Sequence, residues 1–356
     1  MKILIDISHS PDVYFFRHAI GEWQKRGHEI CIAARDQDII FDLLEAHKLP
    51  YLSMGKAGRG LIGLAWELVR HESRVWQVMR SFQPDIVLEF GGTFVVHAAF
   101  LTRTPSIMFT DTEHAIIANS ITFPFASVIC TPSCFRLDLG AKQVRFDGFK
   151  ELAYLHPRYF EPNVSVLSKL GLSPGEPYTL IRLVYWGSAH DLGQRGFDVH
   201  ELREFIAQLS KHGRVFLSFE DEDAVPPDLE PFRLHFAPEK IHHLMAFARL
   251  YVGEGATMAT EAGLLGTPSI YVSSLVGTMG NFDELMNKYK LVYAFRKPQE
   301  AMELAMTLLR NGNAKQEWQV RRDRLLRDKI DVTQFMVEFV ENYPDSFYAF
   351  QRTHRV

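Results

Sequence analysis

One stretch narrows the possible folds more than any other: Tyr251-Val252-Gly253-Glu254-Gly255-Ala256-Thr257-Met258-Ala259-Thr260-Glu261-Ala262-Gly263-Leu264-Leu265-Gly266-Thr267-Pro268. It reads as a strand end, a tight glycine turn, a helix, and a restart into the apolar Ser269-Ile270-Tyr271-Val272, the order of a parallel α/β sheet. Gly253 and Gly255 allow positive φ and let a ligand approach the backbone. Thr257 is expected to cap a helix running to about Leu265, which Gly266 and Pro268 end. The first amides of such a helix, at Ala256 and Thr257, lack intrahelical acceptors and sit at the positive end of the dipole, where a phosphate or diphosphate is cradled. Glu261 follows Thr257 by one turn on the same face. A carboxylate there can accept two hydrogen bonds from a ribose diol. An ordinary βαβ turn with packing glycines is the bland alternative.

At 356 residues the chain suits two domains of ordinary size. With 47% hydrophobic and 23% charged residues each half can bury a core. The formal net charge of −4 argues against nucleic acid as the main partner. The three cysteines, Cys31, Cys130 and Cys134, show no C-x-x-C spacing and read as reduced thiols of a cytoplasmic protein. Met1-Lys2 leads straight into a strand, so no signal peptide is expected. No apolar run reaches the roughly 18 residues that span a bilayer.

The N-terminal half opens with an apolar run ending in Asp6 and Ile7, a polar turn Ser8-His9-Ser10-Pro11-Asp12, and a helical pattern over 13–26. It lacks G-x-G-x-x-G. A polar turn at the carboxyl end of a first strand is still where an open α/β sheet binds ligand. His9 and Asp12 are therefore candidates for acid–base work, with helix capping as the alternative for Asp12. Further strands are expected at 51–53, 85–89, 106–109 and 127–131, with a helix over 61–81. Two more strand ends converge on the same edge: Glu89-Phe90-Gly91-Gly92-Thr93, and Thr110-Asp111-Thr112-Glu113-His114. Carboxylate beside imidazole is the material of general acid–base catalysis, which makes Asp111, Glu113 and His114 candidates too.

In the C-terminal half a first strand over 178–185 leads into the loop Trp186-Gly187-Ser188-Ala189-His190-Asp191-Leu192-Gly193-Gln194-Arg195-Gly196. With Arg182 before it, the loop offers a cation, the Ser188 hydroxyl, the His190 imidazole and the Asp191 carboxylate. It is expected to fold over a diphosphate. Glu220-Asp221-Glu222-Asp223 reads as a solvated acidic loop. His242-His243 lie about 100° apart on a helix and chelate poorly, so no metal site is expected. The domains are expected at 1–155 and 156–330, and the last helix, about 332–341, returns to brace the first.

The spacing G-x-G-x-T-x-x-x-E-A-x-x-x-G-T-P resembles the donor-nucleotide motif of GT-B glycosyltransferases and of UDP-N-acetylglucosamine 2-epimerase. The chain as a whole resembles the family catalogued as domain of unknown function 354, related to that epimerase and to MurG-type transferases. The resemblance rests on Ile5-Asp6-Ile7 with Val13-Tyr14-Phe15-Phe16, on Phe109-Thr110-Asp111-Thr112-Glu113-His114-Ala115 and on Thr131-Pro132-Ser133. Asp147-Gly148 with Lys150-Glu151, His156-Pro157, Ala189 with His190-Asp191, and the stretch 253–268 complete it. It implies a GT-B-like α/β fold, two Rossmann-like domains facing a central cleft. It further implies a nucleotide-sugar, foremost a UDP-sugar, as substrate with no cofactor required. The loop at His235 and Phe236 would hold the base. The expected activity is metal-independent glycosyl transfer. A 2-epimerase and a non-catalytic nucleotide-sugar binder are the alternatives. The acceptor is unknown, with a glycan or a lipid-linked sugar in view, and a homo-oligomer is compatible with the sequence. Lys56, Arg59, Trp66, Arg70, Arg74 and Trp76 share one region that suits a peripheral membrane acceptor, or simply an amphipathic helix.

Overall fold

The computed structural model describes residues 1–56, 73–92, 95–184, 197–219 and 225–354. Ser188, His190 and Asp191 lie outside the described residues, as do Arg59, Trp66, Arg70, Thr93 and the acidic run 220–223. The chain forms two compact units, one of residues 1–154 with 329–356 and the other of 155–328.

The first unit is a parallel sheet of seven strands: β1 (Lys2–Ile7), β2 (Glu29–Asp36), β3 (Leu52–Lys56), β4 (Ile86–Phe90), β5 (Ser106–Phe109), β6 (Val128–Pro132) and β7 (Gln143–Phe146). Their spatial order is β3-β2-β1-β4-β5-β6-β7. The central strands are largely apolar because helices cover both faces, as Ile86, Val87 and Leu88 of β4 show. Helix Ser10–Lys25 follows β1 and buries Phe15 and Phe16 against Phe109, with Phe15 also meeting Phe90. The helix begins three residues earlier than its apolar periodicity suggests. Pro11 presets the first turn, and the Asp12 carboxylate accepts the Ser8 and His9 amides at 3.2 and 2.8 Å. Helix Val332–Glu341 packs beside helix Ser10–Lys25 within this unit.

The second unit is a parallel sheet of five strands: β8 (Tyr178–Leu183), β9 (Arg214–Phe219), β10 (Leu250–Gly253), β11 (Ser269–Val272) and β12 (Val292–Phe295). The order is β12-β11-β10-β8-β9. Its core joins Ile181, Leu217, Val252 and Ile270 of the strands to Phe205 of helix Val199–Leu209 and Ala305 of helix Pro298–Arg310. Both sheets reverse strand order at one point, between β1 and β4 in the first unit and between β10 and β8 in the second. Such a reversal splays the flanking loops apart at the carboxyl ends of the strands, the usual ligand crevice of an open α/β sheet.

Among the described residues no helix is long and apolar enough to cross a membrane. Cys130 is buried, and Cys31 and Cys134 are half-buried.

Candidate functional sites of the two units

The switch point of the second unit is where the G-x-G stretch lies. Gly253 ends β10 directly beside Arg182 of β8, and helix Ala256–Leu264 starts three residues on. Gly255 is the N-cap, in extended backbone at φ −89° and ψ 120°, with no side chain to accept an amide. Thr257 is therefore inside the first turn rather than the cap. The amides that follow Gly255 have no side-chain cap, and residues 255–258 are half-buried, so the helix start reaches solvent.

Neither Gly253 nor Gly255 adopts positive φ, which corrects the reason for glycine at both. A Cβ at Gly253 would overlap the Tyr251 hydroxyl, whereas one at Gly255 would meet Val184 and Arg182 at ordinary contact distance. Tyr251 is fully buried, and its hydroxyl has no hydrogen-bond partner among the described residues.

Glu254, between the two glycines, turns inward. It is 1% exposed, and its carboxylate accepts the Val184 amide and the Phe197 amide, each at 2.8 Å. One side chain therefore joins the end of β8 and the approach to helix Val199–Leu209 to the G-x-G turn. Arg182 lies in the same layer, where its Nη1 donates to Ser218 Oγ at 2.8 Å and to the Phe219 carbonyl at 2.9 Å.

Glu261 faces back from the second turn of the helix and is buried. Its Oε1 lies 2.9 Å from Nε2 of His242, on helix Ile241–Phe247. His242 is thus a partner of the proposed ribose acceptor, and His243 accepts the Asn163 amide and stacks on Phe160. His235 is exposed, 3.8 Å from Glu230, and Phe236 is half-buried beside it.

The switch point of the first unit gathers ionisable groups from the ends of β1, β5 and β7. After β1 come Ser8, His9 and Asp12, and the His9 ring is half-exposed with Nδ1 3.8 Å from Asp12 Oδ2. Packing around the imidazole, helped by the charges of Arg35 and Lys150, lowers its pKa, so the ring is neutral at neutral pH. Asp12 is buried, and desolvation pushes its carboxyl up to about 8 against the pull of the two amides and of Lys150. After β7, Lys150 pairs with Asp111, which follows β5, at 3.1 Å. Burial alone would lower the Lys150 pKa, but Asp111 and Glu151 more than offset it and hold it above its ordinary value. The Lys150 ammonium also lies over the Phe90 ring.

The acid–base run after β5 does not act as one cluster. Asp111 turns to Lys150, Glu113 is buried with Oε1 accepting the Arg136 amide at 3.2 Å, and His114 is exposed. Loop residues in succession point in different directions, so sequence adjacency does not make them neighbours in space.

A family model described as "Protein of unknown function (DUF354)" matches residues 1–345. The chain belongs to this family. An uncharacterized protein of Methanocaldococcus jannaschii is 23% identical over 295 residues, covering 78% of this chain and 84% of that one. Among solved structures, UDP-GlcNAc 2-epimerase from Neisseria meningitidis bound to UDP-GlcNAc superposes with a TM-score of 0.69 at 13% identity, covering 96% of this chain and 100% of that chain. The S. aureus MnaA–UDP co-structure gives 0.70 at 10% identity, with 97% of each chain covered. The glycosyltransferase VinC in complex with dTDP gives 0.62 at 11% identity, covering 98% of this chain and 100% of that chain. These likenesses establish the GT-B-like fold of two Rossmann-like domains for this DUF354 member.

Sequence reading missed five residues of these layers: Asp6, Glu89, Lys150, Tyr251 and His242. Asp6 and Glu89 carried a signal, since each is an acidic residue inside an apolar strand pattern. Lys150 and His242 carried none, because only the fold brings them to carboxylates 39 and 19 residues away.

Proposed function

We propose that this DUF354 member binds a nucleotide-sugar, foremost a UDP-sugar, and transfers its glycosyl group to an acceptor hydroxyl without a divalent ion in the step. The observation that carries the reading is the start of helix Ala256–Leu264: uncapped amides that reach solvent at a switch point, with the Glu261 carboxylate one turn behind them. The amides would take the diphosphate and stabilise the charge that develops as it leaves. Glu261 would accept the ribose diol in place of, or alongside, His242. In the first unit His9 is the best-placed base. Its neutral ring can take a proton from an acceptor hydroxyl, and the Asp12 carboxyl lies beside it, 3.8 Å from Nδ1.

A second reading is favoured by a specific observation. The first unit gathers His9, Asp12, Asp111 and Lys150 at the carboxyl ends of its strands, an acid–base set rich enough to remove and return a proton on the sugar itself. That reading is a 2-epimerase-like reaction.

Incubation with UDP-GlcNAc in D2O separates the two. Glycosyl transfer is expected to release UDP only when a glycan or lipid-linked acceptor is supplied, with no deuterium entering the sugar. Deuterium incorporation without acceptor would select the epimerase reading. Failure to bind UDP or any UDP-sugar would remove both.

A further inference from the structure

Beneath the His9–Asp12 turn lies a pair of acids that the function above does not use. Asp6 and Glu89 are directly opposite each other in the parallel pairing of β1 with β4, at the switch point of the sheet. Both are 1% exposed. A Cβ built on Gly92 would lie 3.1 Å from Glu89 Oε2 and 3.3 Å from Asp6 Oδ2, so the two carboxyl groups converge on one point under the backbone of Gly92. Among the described residues neither oxygen of Glu89 has a hydrogen-bond partner. Two buried carboxylates facing each other across a parallel ladder would repel strongly with no solvent between them, and an ion without hydrogen bonds is the costliest thing to bury. One proton on the pair removes both penalties, because a carboxylic acid can donate to a carboxylate beside it.

We propose that Asp6 and Glu89 share a single proton and act as a positioning pair for the acid–base turn above them. Ser8 makes the connection. Its hydroxyl donates to Asp6 Oδ2 at 2.9 Å, and its amide donates to Asp12 Oδ2 at 3.2 Å. The charged groups that act on the pair are Asp12 from helix Ser10–Lys25, next to Glu89 and Asp6, and His9 before that helix, next to Asp6. Burial, then Asp6 and Asp12, raise the Glu89 pKa well above the carboxylate range, which agrees with a proton held there. The pair then carries one negative charge and fixes the field that Asp12 and His9 feel. That link to His9 as base rests on the glycosyl-transfer reading; the pair itself does not.

The test uses the unliganded full-length protein. In the infrared at neutral pH, the carbonyl band of protonated carboxylic acid is expected to lose intensity in Glu89→Gln, while Asp12→Asn removes a separate contribution. Asp6→Asn is expected to keep the Glu89 band and shift its frequency, since its partner changes from carboxylate to amide. It also serves if Glu89→Gln does not fold. A second readout is the His9 pKa by NMR. Asp6→Asn removes the pair's net charge and is expected to lower it, whereas Glu89→Gln leaves the charge unchanged and the His9 pKa with it. A folded Glu89→Gln variant with the band intact overturns the shared proton, as does a His9 pKa lowered equally by both substitutions. A test of nucleotide binding has no bearing on either readout, so this pair and the function above can fail separately.

Discussion

At the scale of single residues, Gly253 and Tyr251 are one unit of design. The tyrosine hydroxyl fills the place of a Cβ at Gly253, and it is buried with no hydrogen-bond partner among the described residues. Tyr251→Phe removes that hydroxyl and leaves the ring, so stability is expected to stay level or rise by about 1 kcal/mol in urea denaturation. Gly253→Ala adds a methyl where there is no room and is expected to cost about 1–3 kcal/mol. The double variant recovers only part, since the Tyr251 ring carbon that bears the hydroxyl is also close. The presence of these glycines was legible in the sequence, but their reason was not. Glycine before a helix suggests positive φ, and only the packing shows that the requirement at Gly253 is lateral space. Glu261 was legible by its one-turn offset from Thr257. Its partner His242 was not, because the pair spans two helices.

Among elements, the turn before helix Ala256–Leu264 is held by Glu254, whose carboxylate satisfies the Val184 and Phe197 amides. Glu254→Ala would leave at least one buried amide without an acceptor, at a cost of about 1–3 kcal/mol. Hydrogen exchange at Val184 and Phe197 is expected to accelerate markedly in that variant, while the Phe205 amide in helix Val199–Leu209 keeps its protection. Equal protection of all three would remove Glu254 from this role. Strand β5 could be read from sequence alone, since Ser106-Ile107-Met108-Phe109 is a short apolar run between breakers. Strand β7 could not. Gln143 and Arg145 alternate with Val144 and Phe146 at the edge of the sheet, so the segment lacks the continuous apolar signal of its neighbours. The polar edge of the first unit was only partly legible for a related reason. The strand-end position of each acid shows in sequence, but the register that sets Asp6 against Glu89 belongs to the folded sheet.

For the whole molecule, the buried acids at the first switch point set how stability depends on pH. Asp12 titrates at about 8 in the fold against an ordinary 3.8, and Glu89 is raised in the same direction. A carboxyl raised in the folded state contributes fully below its unfolded value and loses that contribution as pH climbs through the folded one. Stability is therefore expected to fall between about pH 4 and pH 8, and the decline to be shallower in Asp12→Asn. Urea midpoints across that range check it, and a wild-type curve flat over the window would contradict it.

The two units together make sense as a nucleotide-sugar enzyme only if the second unit receives a nucleoside diphosphate at the start of helix Ala256–Leu264 with Glu261 on the ribose. The direct measurement is calorimetric titration of UDP into wild type and into Glu261→Gln, a change that keeps a hydrogen-bonding partner for His242. Expected is binding to the wild type and at least about tenfold weaker binding to the variant, equivalent to about 1.4 kcal/mol. No binding to the wild type, or equal affinity in a folded variant, would contradict it.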